Sequence, residues 1–246
     1  KPAFFVITAW LFALDRRMSQ RWALPLNVFM LLGMVALLIL QKDLGQSILF
    51  ASVWGIQLFL AGYPLTWMFS LAGIGVAGLF GAYNYMPHVR SRIDGFYAPD
   101  GDRYQINRAA QAFNDGGWLG VGPGEGKVKN AIPDVHNDFI FSVVGEEFGL
   151  MACIGVLLVY TLLVMRGIAQ ATRFDSLFTS LVALGIVCQL GSQALITMAS
   201  TLALIPTKGM TLPFLSYGGS SLLSLAVSMG IFLAVTRRRP RQESFL

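Results

Sequence analysis

The chain has 246 residues, 55% of them hydrophobic and only 13% charged, with a mean hydropathy of +0.62 and a formal net charge of +5. A charged fraction far below the roughly 25% of an ordinary soluble domain excludes a soluble globular protein and points to an integral membrane protein. The positive balance is not a nucleic-acid signature, because no basic run is interleaved with aromatics outside the apolar segments.

A window of about 20 apolar residues crosses the hydrocarbon core. Such windows fall near residues 22–40, 46–61, 65–86, 146–165, 176–199 and 217–236. A seventh, near 2–14, is short, and with Lys1 rather than Met at its head it reads as the end of a helix whose upstream part is missing. The expected fold is an all-α polytopic membrane protein, a single membrane domain over 1–246 with about seven transmembrane segments. A large extracytoplasmic loop, 87–145, separates the fourth from the fifth.

Orientation follows from the short connections. Arg16, Arg17 and Arg21 follow the first segment, Arg166 and Arg173 the fifth, and Arg237, Arg238, Arg239 and Arg241 the last. Alternating spans put all of these on one side, and the positive-inside rule makes that side cytoplasmic, the C-terminus included. Cys153 and Cys188 lie inside apolar segments, so no disulfide is expected.

The polar inventory is gathered in the long loop. Nine of the thirteen acidic residues and both histidines, His88 and His136, lie between residues 87 and 147. A loop this long in a compact protein is usually functional or disordered, and its aromatics argue for order. The 104–114 stretch reads as a short amphipathic helix at the interface. Gly120, Gly122, Gly124 and Gly126 then alternate ahead of Lys127 and Lys129. A P-loop is rejected, since no strand precedes the glycines and Val128 follows Lys127 where Ser or Thr is required. Two readings stay open: a flexible turn, or a backbone that closely approaches an anionic head group, with the two lysines supplying charge.

Asn137 is a good N-cap, so Asp138 is expected to open a helix with Ser142, Gly145 and Gly149 on one face. The helix dipole would stabilise that carboxylate, and the ionised form is the one a proton acceptor needs. Glu146 and Glu147 are expected as interfacial anchors or partners of loop arginines. Further along, Gln189, Gln193 and Thr197 recur every four residues, as do Ser216, Ser220, Ser224 and Ser228. Such stripes serve interhelical hydrogen bonds or line a polar cavity. Gly73, Gly75, Gly78 and Gly81 suggest a closely packed or bendable fourth helix.

Three segments carry a family likeness in order and spacing: Gln41-Lys42-Asp43-Leu44-Gly45, Pro133 to Gly149 ending in Val144-Gly145-Glu146-Glu147-Phe148-Gly149, and Leu212-Pro213-Phe214-Leu215-Ser216-Tyr217-Gly218-Gly219-Ser220-Ser221. They resemble the signatures of the SEDS family, the bacterial FtsW, RodA and sporulation proteins, with the Gly-Glu-Glu form closer to the FtsW branch. Lys42 stands where the family usually has Pro, Gln46 where Thr is common, and Asn137 where Thr is usual. The resemblance implies ten helices in a whole protein of the bacterial cytoplasmic membrane, acting at the division septum. It implies a peptidoglycan glycosyltransferase that polymerises lipid II, the undecaprenyl-pyrophosphate-linked precursor. Its partners would be a class B penicillin-binding transpeptidase and other divisome membrane proteins. Asp138 matches the family's essential acidic residue and is the expected general base. The candidate substrate-binding residues are Arg92, Lys127, Lys129, His136 and Ser216. Asp43 is the candidate ligand of a divalent cation, Mg or Mn, and no organic cofactor is expected. A lipid II flippase using the polar stripes, and a noncatalytic division scaffold, are the alternatives.

Overall fold

The computed structural model describes residues 1–18, 22–87, 89–91, 94, 104–131, 135–205 and 209–237. The described residues form helices and no strand: α1 (Pro2–Met18), α2 (Ala23–Leu40), α3 (Leu44–Leu60), α4 (Leu65–Tyr85), α5 (Tyr104–Gly116), α6 (Ile140–Ala171), α7 (Leu177–Thr201) and α8 (Gly219–Thr236), with a 3-10 turn at Val128–Ala131. Five of them, α2, α4, α6, α7 and α8, are long and apolar enough to cross a membrane, and α3 is a slightly shorter apolar helix. The fold is the expected polytopic one.

Helix α7 is the axis of the bundle, packed by α1, α3, α6 and α8. Its surroundings include the buried side chains of Phe5, Phe12, Trp54 and Leu58. Lipid tails are as apolar as these residues, so close packing rather than exclusion from water must hold the helices together. Glycine supplies the approach between α6 and α7. A Cβ on Gly167 of α6 would lie 2.5 Å from the Val187 side chain of α7, and one on Gly191 of α7 would lie 2.8 Å from Val164 of α6. Buried polar groups are paired across the bundle: the Gln57 amide donates to the carbonyls of Phe5 and Leu181 and accepts from Thr8. Among the described residues Gly73, Gly75, Gly78 and Gly81 of α4 have nothing within 4 Å of an added Cβ, so close packing is not their role there.

The two ends of the bundle are chemically different. At one end, Arg16 of α1 donates to the carbonyls of Ala61 and Gly62 after α3, and Gln170 of α6 reaches the Thr236 carbonyl of α8 at 3.5 Å. Arg166, Arg173 and Arg237 belong to this end by chain position. The opposite end gathers Lys1, the α2–α3 turn, the start of α6, the end of α7 and the start of α8.

The α2–α3 turn bears out the interest of Lys42. Asp43 N donates to Leu38 O and Lys42 N to Ile39 O, both at 2.9 Å, while Lys42 takes φ +61°. This is a Schellman cap whose left-handed position, usually glycine, is held by lysine. Proline could adopt neither that φ nor that donor role, so the departure from the family pattern comes with its own turn geometry. Asp43 then caps α3, its Oδ1 accepting from Gln46 N at 2.9 Å.

Three local expectations are corrected. The helix after the loop opens at Ile140 with Phe139 as its N-cap, so Asn137 does not cap it and Asp138 lies in the preceding turn. The reason is packing: Val135 and Phe139 are buried with Ala109, Ala112 and Val128 in a small cluster, which holds 135–138 in a turn ahead of the helix. Second, α5 is amphipathic but packs its Ala109, Ala112 and Phe113 side against the start of α6, leaving Asn107, Gln111, Asn114 and Asp115 exposed. An outward face this polar meets water rather than lipid. Third, the serine stripe begins inside α8, because Ser216 belongs to the turn before the helix.

Candidate functional site

The glycine loop is spliced into a membrane helix. Gly149, at φ +76° and ψ −175°, breaks the helical path of α6. An unbroken helix would pair Leu150 N with Glu146 O and Met151 N with Glu147 O. Instead, Leu150 N donates to Gly117 O at 2.9 Å and Met151 N to Trp118 O at 3.3 Å, while Glu146 O accepts from Val121 N at 3.0 Å and Glu147 O from Gly122 N at 3.1 Å. Four backbone groups that the break would orphan beside lipid, where each costs several kcal/mol, are satisfied by the loop.

Glycine is required at the crossings. A Cβ on Gly120 would lie 2.1 Å from Glu147 O, one on Gly116 2.0 Å from Gly145 O, and one on Gly145 2.3 Å from the Phe113 ring. The glutamates complete the joint. Glu146, 1% exposed, accepts from Val128 N at 2.7 Å and Lys129 N at 2.9 Å, so its carboxylate caps the 3-10 turn. Glu147 pairs with Lys129, whose ammonium also donates to Gly124 O at 3.3 Å. The two glutamates therefore serve the loop backbone and Lys129.

Asp138 sits at the edge of this joint. Ser142 returns its hydroxyl and its amide to Phe139 O at 2.7 and 2.9 Å, which pins the turn that carries Asp138. Opposite lies Gly209, at φ +61°, where an added Cβ would come 3.3 Å from Asp138 Oδ2. The segment 209–218 is tied to every neighbouring helix. Thr197 donates to Met210 O at 3.2 Å, Gln193 to Thr211 O at 2.8 Å, Tyr160 to Pro213 O, and Thr211 meets Ser221 at 2.8 Å. Tyr217 N donates to His136 O at 2.9 Å, which locks this segment to the turn bearing Asp138.

The other side of Gln193 leads to a cation. Lys1 Nζ donates to Gln193 Oε1 at 3.2 Å. Burial pushes the Lys1 ammonium below the ordinary lysine range, with the nearby Asp43 carboxylate pulling it back up. Gln193 thus joins the 209–211 segment, which lies beside Asp138, to Lys1. A carboxylate able to take a proton and a half-buried ammonium at one end of the bundle can serve a reaction that releases an anion.

The structure brings some expected residues to this site and gives others different work. His136, with Ile140, Leu215 and Tyr217, lines an adjacent cavity of about 390 Å³. Ser216 accepts from Leu212 N at 2.7 Å and so closes the 212–216 turn. Lys127 is exposed on the loop, and Lys129 is bound to Glu147. Arg92 lies outside the described residues, as does His88. Among the described residues no three His, Cys, Asp or Glu side chains gather to hold a metal ion. Sequence reasoning missed Lys1, read only as the head of a short segment, and Gln193, read as part of a stripe. The spacing of Gln193 was visible; its partners, a loop carbonyl and a lysine 192 residues away, were not.

The two lysines should therefore separate experimentally. Lys129→Ala is expected to lower stability by about 3 kcal/mol, the cost of removing one partner of a largely buried ion pair, in thermal unfolding of the purified protein. Lys127→Ala should leave the unfolding temperature unchanged and weaken binding of a pyrophosphate-bearing lipid more than of a neutral one. Equal unfolding temperatures for the two variants would contradict the different roles.

A family model described as cell cycle protein, covering FtsW, RodA and SpoVE, matches residues 1–241. The chain belongs to this family. The FtsW, RodA and SpoVE relatives include a Caulobacter vibrioides protein named "Probable peptidoglycan glycosyltransferase FtsW", 41% identical over 241 residues, covering 98% of this chain and 62% of that protein. The chain thus spans about three fifths of that relative's length. Among solved structures of the family, one from work on polymerization and crosslinking by a peptidoglycan synthase complex matches with TM-score 0.75 and 28% identity, covering 94% of this chain and 67% of its own. A Thermus thermophilus rod shape determining protein RodA, solved as an aspartate-to-alanine mutant, matches with TM-score 0.63 and 27% identity over 94% of this chain and 64% of its own. In this FtsW, RodA and SpoVE chain the Gly145-Glu146-Glu147-Phe148-Gly149 run has a physical reading of its own, since it is the half of the spliced joint that α6 supplies.

Proposed function

We propose that this chain is the membrane-embedded part of a peptidoglycan glycosyltransferase that polymerises lipid II during septal wall synthesis. The observation that carries the reading is the Asp138 carboxylate beside Gly209 on the same end of the bundle as the half-buried Lys1. In the reaction, the acceptor sugar's 4-hydroxyl gives its proton to Asp138, its oxygen bonds to the donor's anomeric carbon, and the bond from that carbon to the lipid pyrophosphate breaks. The departing pyrophosphate is anionic, and Lys1 and Lys127 supply positive charge for it. No step is assigned to a metal ion.

Topology supports the outer face as the place of reaction. The arginine-rich end is cytoplasmic by the positive-inside rule, so the Asp138 end faces outward, where sugars reach the loop while lipid tails stay in the bilayer. The names of the relatives support the enzyme class. The synthase complex supports a class B penicillin-binding transpeptidase as partner.

One observation favours the flippase reading: Gln189, 1% exposed within α7, has no hydrogen-bond partner for either amide atom, and Ser224 Oγ is also unpaired. Against it, the described spans carry no Asp, Glu, Lys, Arg or His in their middle stretches, the 148–165 run of α6 included, whereas transport coupling draws on intramembrane charges. The deciding experiment reconstitutes the full-length protein with its transpeptidase partner and supplies lipid II in the outer leaflet alone. Glycan polymer is expected. Transfer of labelled lipid II between leaflets without polymer would overturn the proposal in favour of transport.

A further inference from the structure

The uncharged part of α6 sets a depth scale. Residues 148–165, between Glu147 and Arg166, rise about 27 Å at 1.5 Å per residue, close to the roughly 30 Å of the hydrocarbon core. Its outer boundary therefore falls near Phe148 to Met151. At this level the loop is bolted to the helix, Trp118 O accepting from Met151 N and Gly117 O from Leu150 N. The depth of the loop tip is fixed by those two bonds.

What the tip presents at that depth is apolar. Trp118 is 68% exposed, Leu119 82% and Val121 44%, beside the exposed Phe148, Leu150 and Met151 of α6. The polar side chains Glu125 and Lys127 are exposed a few residues on, and the exposed side of α5 is polar. The patch is continuous with the lipid-facing surface of α6, and a tryptophan at the edge of the hydrocarbon occupies the position that an amphipathic ring prefers.

We propose that the Trp118–Val121 tip is a wedge embedded in the outer-leaflet interface, with acyl chains and glycerol groups of the bilayer as its occupant. It rests on the membrane topology and not on the glycosyltransferase reading. The wedge holds the glycine loop at head-group level, with Lys127 where lipid phosphates lie.

The test uses the protein in phosphatidylcholine and phosphatidylglycerol vesicles that contain brominated phosphatidylcholine. The Trp118 emission is the difference between the unsubstituted protein and Trp118→Phe. Bromines near the top of the acyl chain should remove most of that emission, deeper bromines less, and aqueous acrylamide little. A nitroxide on Leu119→Cys provides a second measurement, expected to be more accessible to oxygen than to a water-soluble nickel chelate. Emission untouched by brominated lipid, or a nitroxide more accessible to the chelate, would overturn the wedge and turn the patch over to water or to a protein partner. Either result leaves the polymerisation assay to judge the enzyme reading separately.

Discussion

Asp138→Asn should abolish glycan polymerisation while the protein remains folded and inserted. The substitution keeps volume and polarity and removes the negative charge and the capacity to accept a proton. It also spares the helix start, because Phe139 is the N-cap of α6 and the turn is pinned by Ser142 and by Tyr217 N on His136 O. General-base assistance contributes on the order of 10²- to 10⁴-fold, so polymer formation should fall by at least that lower bound. The unfolding temperature in detergent should hardly move. Asp138→Asn with polymerising activity near that of the unsubstituted protein would remove Asp138 from the chemistry and leave it as a turn residue.

The largest loss of stability should come from the spliced joint. In Gly120→Ala the new methyl would meet Glu147 O at 2.1 Å, and in Gly149→Ala it would meet Gly120 N at 2.4 Å, both on backbone that cannot swing away. Each residue also has a positive φ, 82° and 76°, which alone costs a non-glycine residue about 1–2 kcal/mol. Separating the loop from the helix to admit the methyl would orphan amide and carbonyl groups at the membrane surface, adding several kcal/mol. Either variant should therefore lose about 4 kcal/mol or more and fail to accumulate as folded protein. Gly124→Ala is the control: its φ is +84° but nothing lies within 4 Å of the added methyl, so only the conformational cost of about 1–2 kcal/mol remains. Equal unfolding temperatures for Gly120→Ala and Gly124→Ala would refute the close approach.

The bundle was legible in the sequence because membrane spans announce themselves by unbroken apolar runs, and the windows 22–40, 65–86 and 217–236 fall within a few residues of α2, α4 and α8. The window at 146–165 was less faithful, since α6 begins at Ile140 and reaches Ala171. Residues 140–145 fall outside the window, and the charges that open it, Glu146 and Glu147, are absorbed by the amides of Val128 and Lys129 and by the Lys129 ammonium. The alternating glycines read equally as a flexible turn or as a backbone approaching an anionic head group, and what approaches Gly120 is instead the chain's own helix, a partner some 30 residues away that local pattern cannot name. The stripe of Gln189, Gln193 and Thr197 was readable as one buried face. Its destination, the carbonyls of 210 and 211, depends on a loop whose course no periodicity encodes.

The splice at Gly149 also bears on how the chain is made. A segment that leaves the translocation machinery as an ordinary span has its backbone satisfied before it meets a neighbour, but α6 cannot satisfy its own. Its second half would enter lipid with Leu150 and Met151 lacking acceptors until 117–122 had arrived on the same side of the bilayer. Those loop residues precede α6 in the chain and are translated first, so the missing partners are already waiting. Export of the loop thus becomes a condition for completing the helix, and a mistranslocated loop would leave a span that cannot settle in the bilayer.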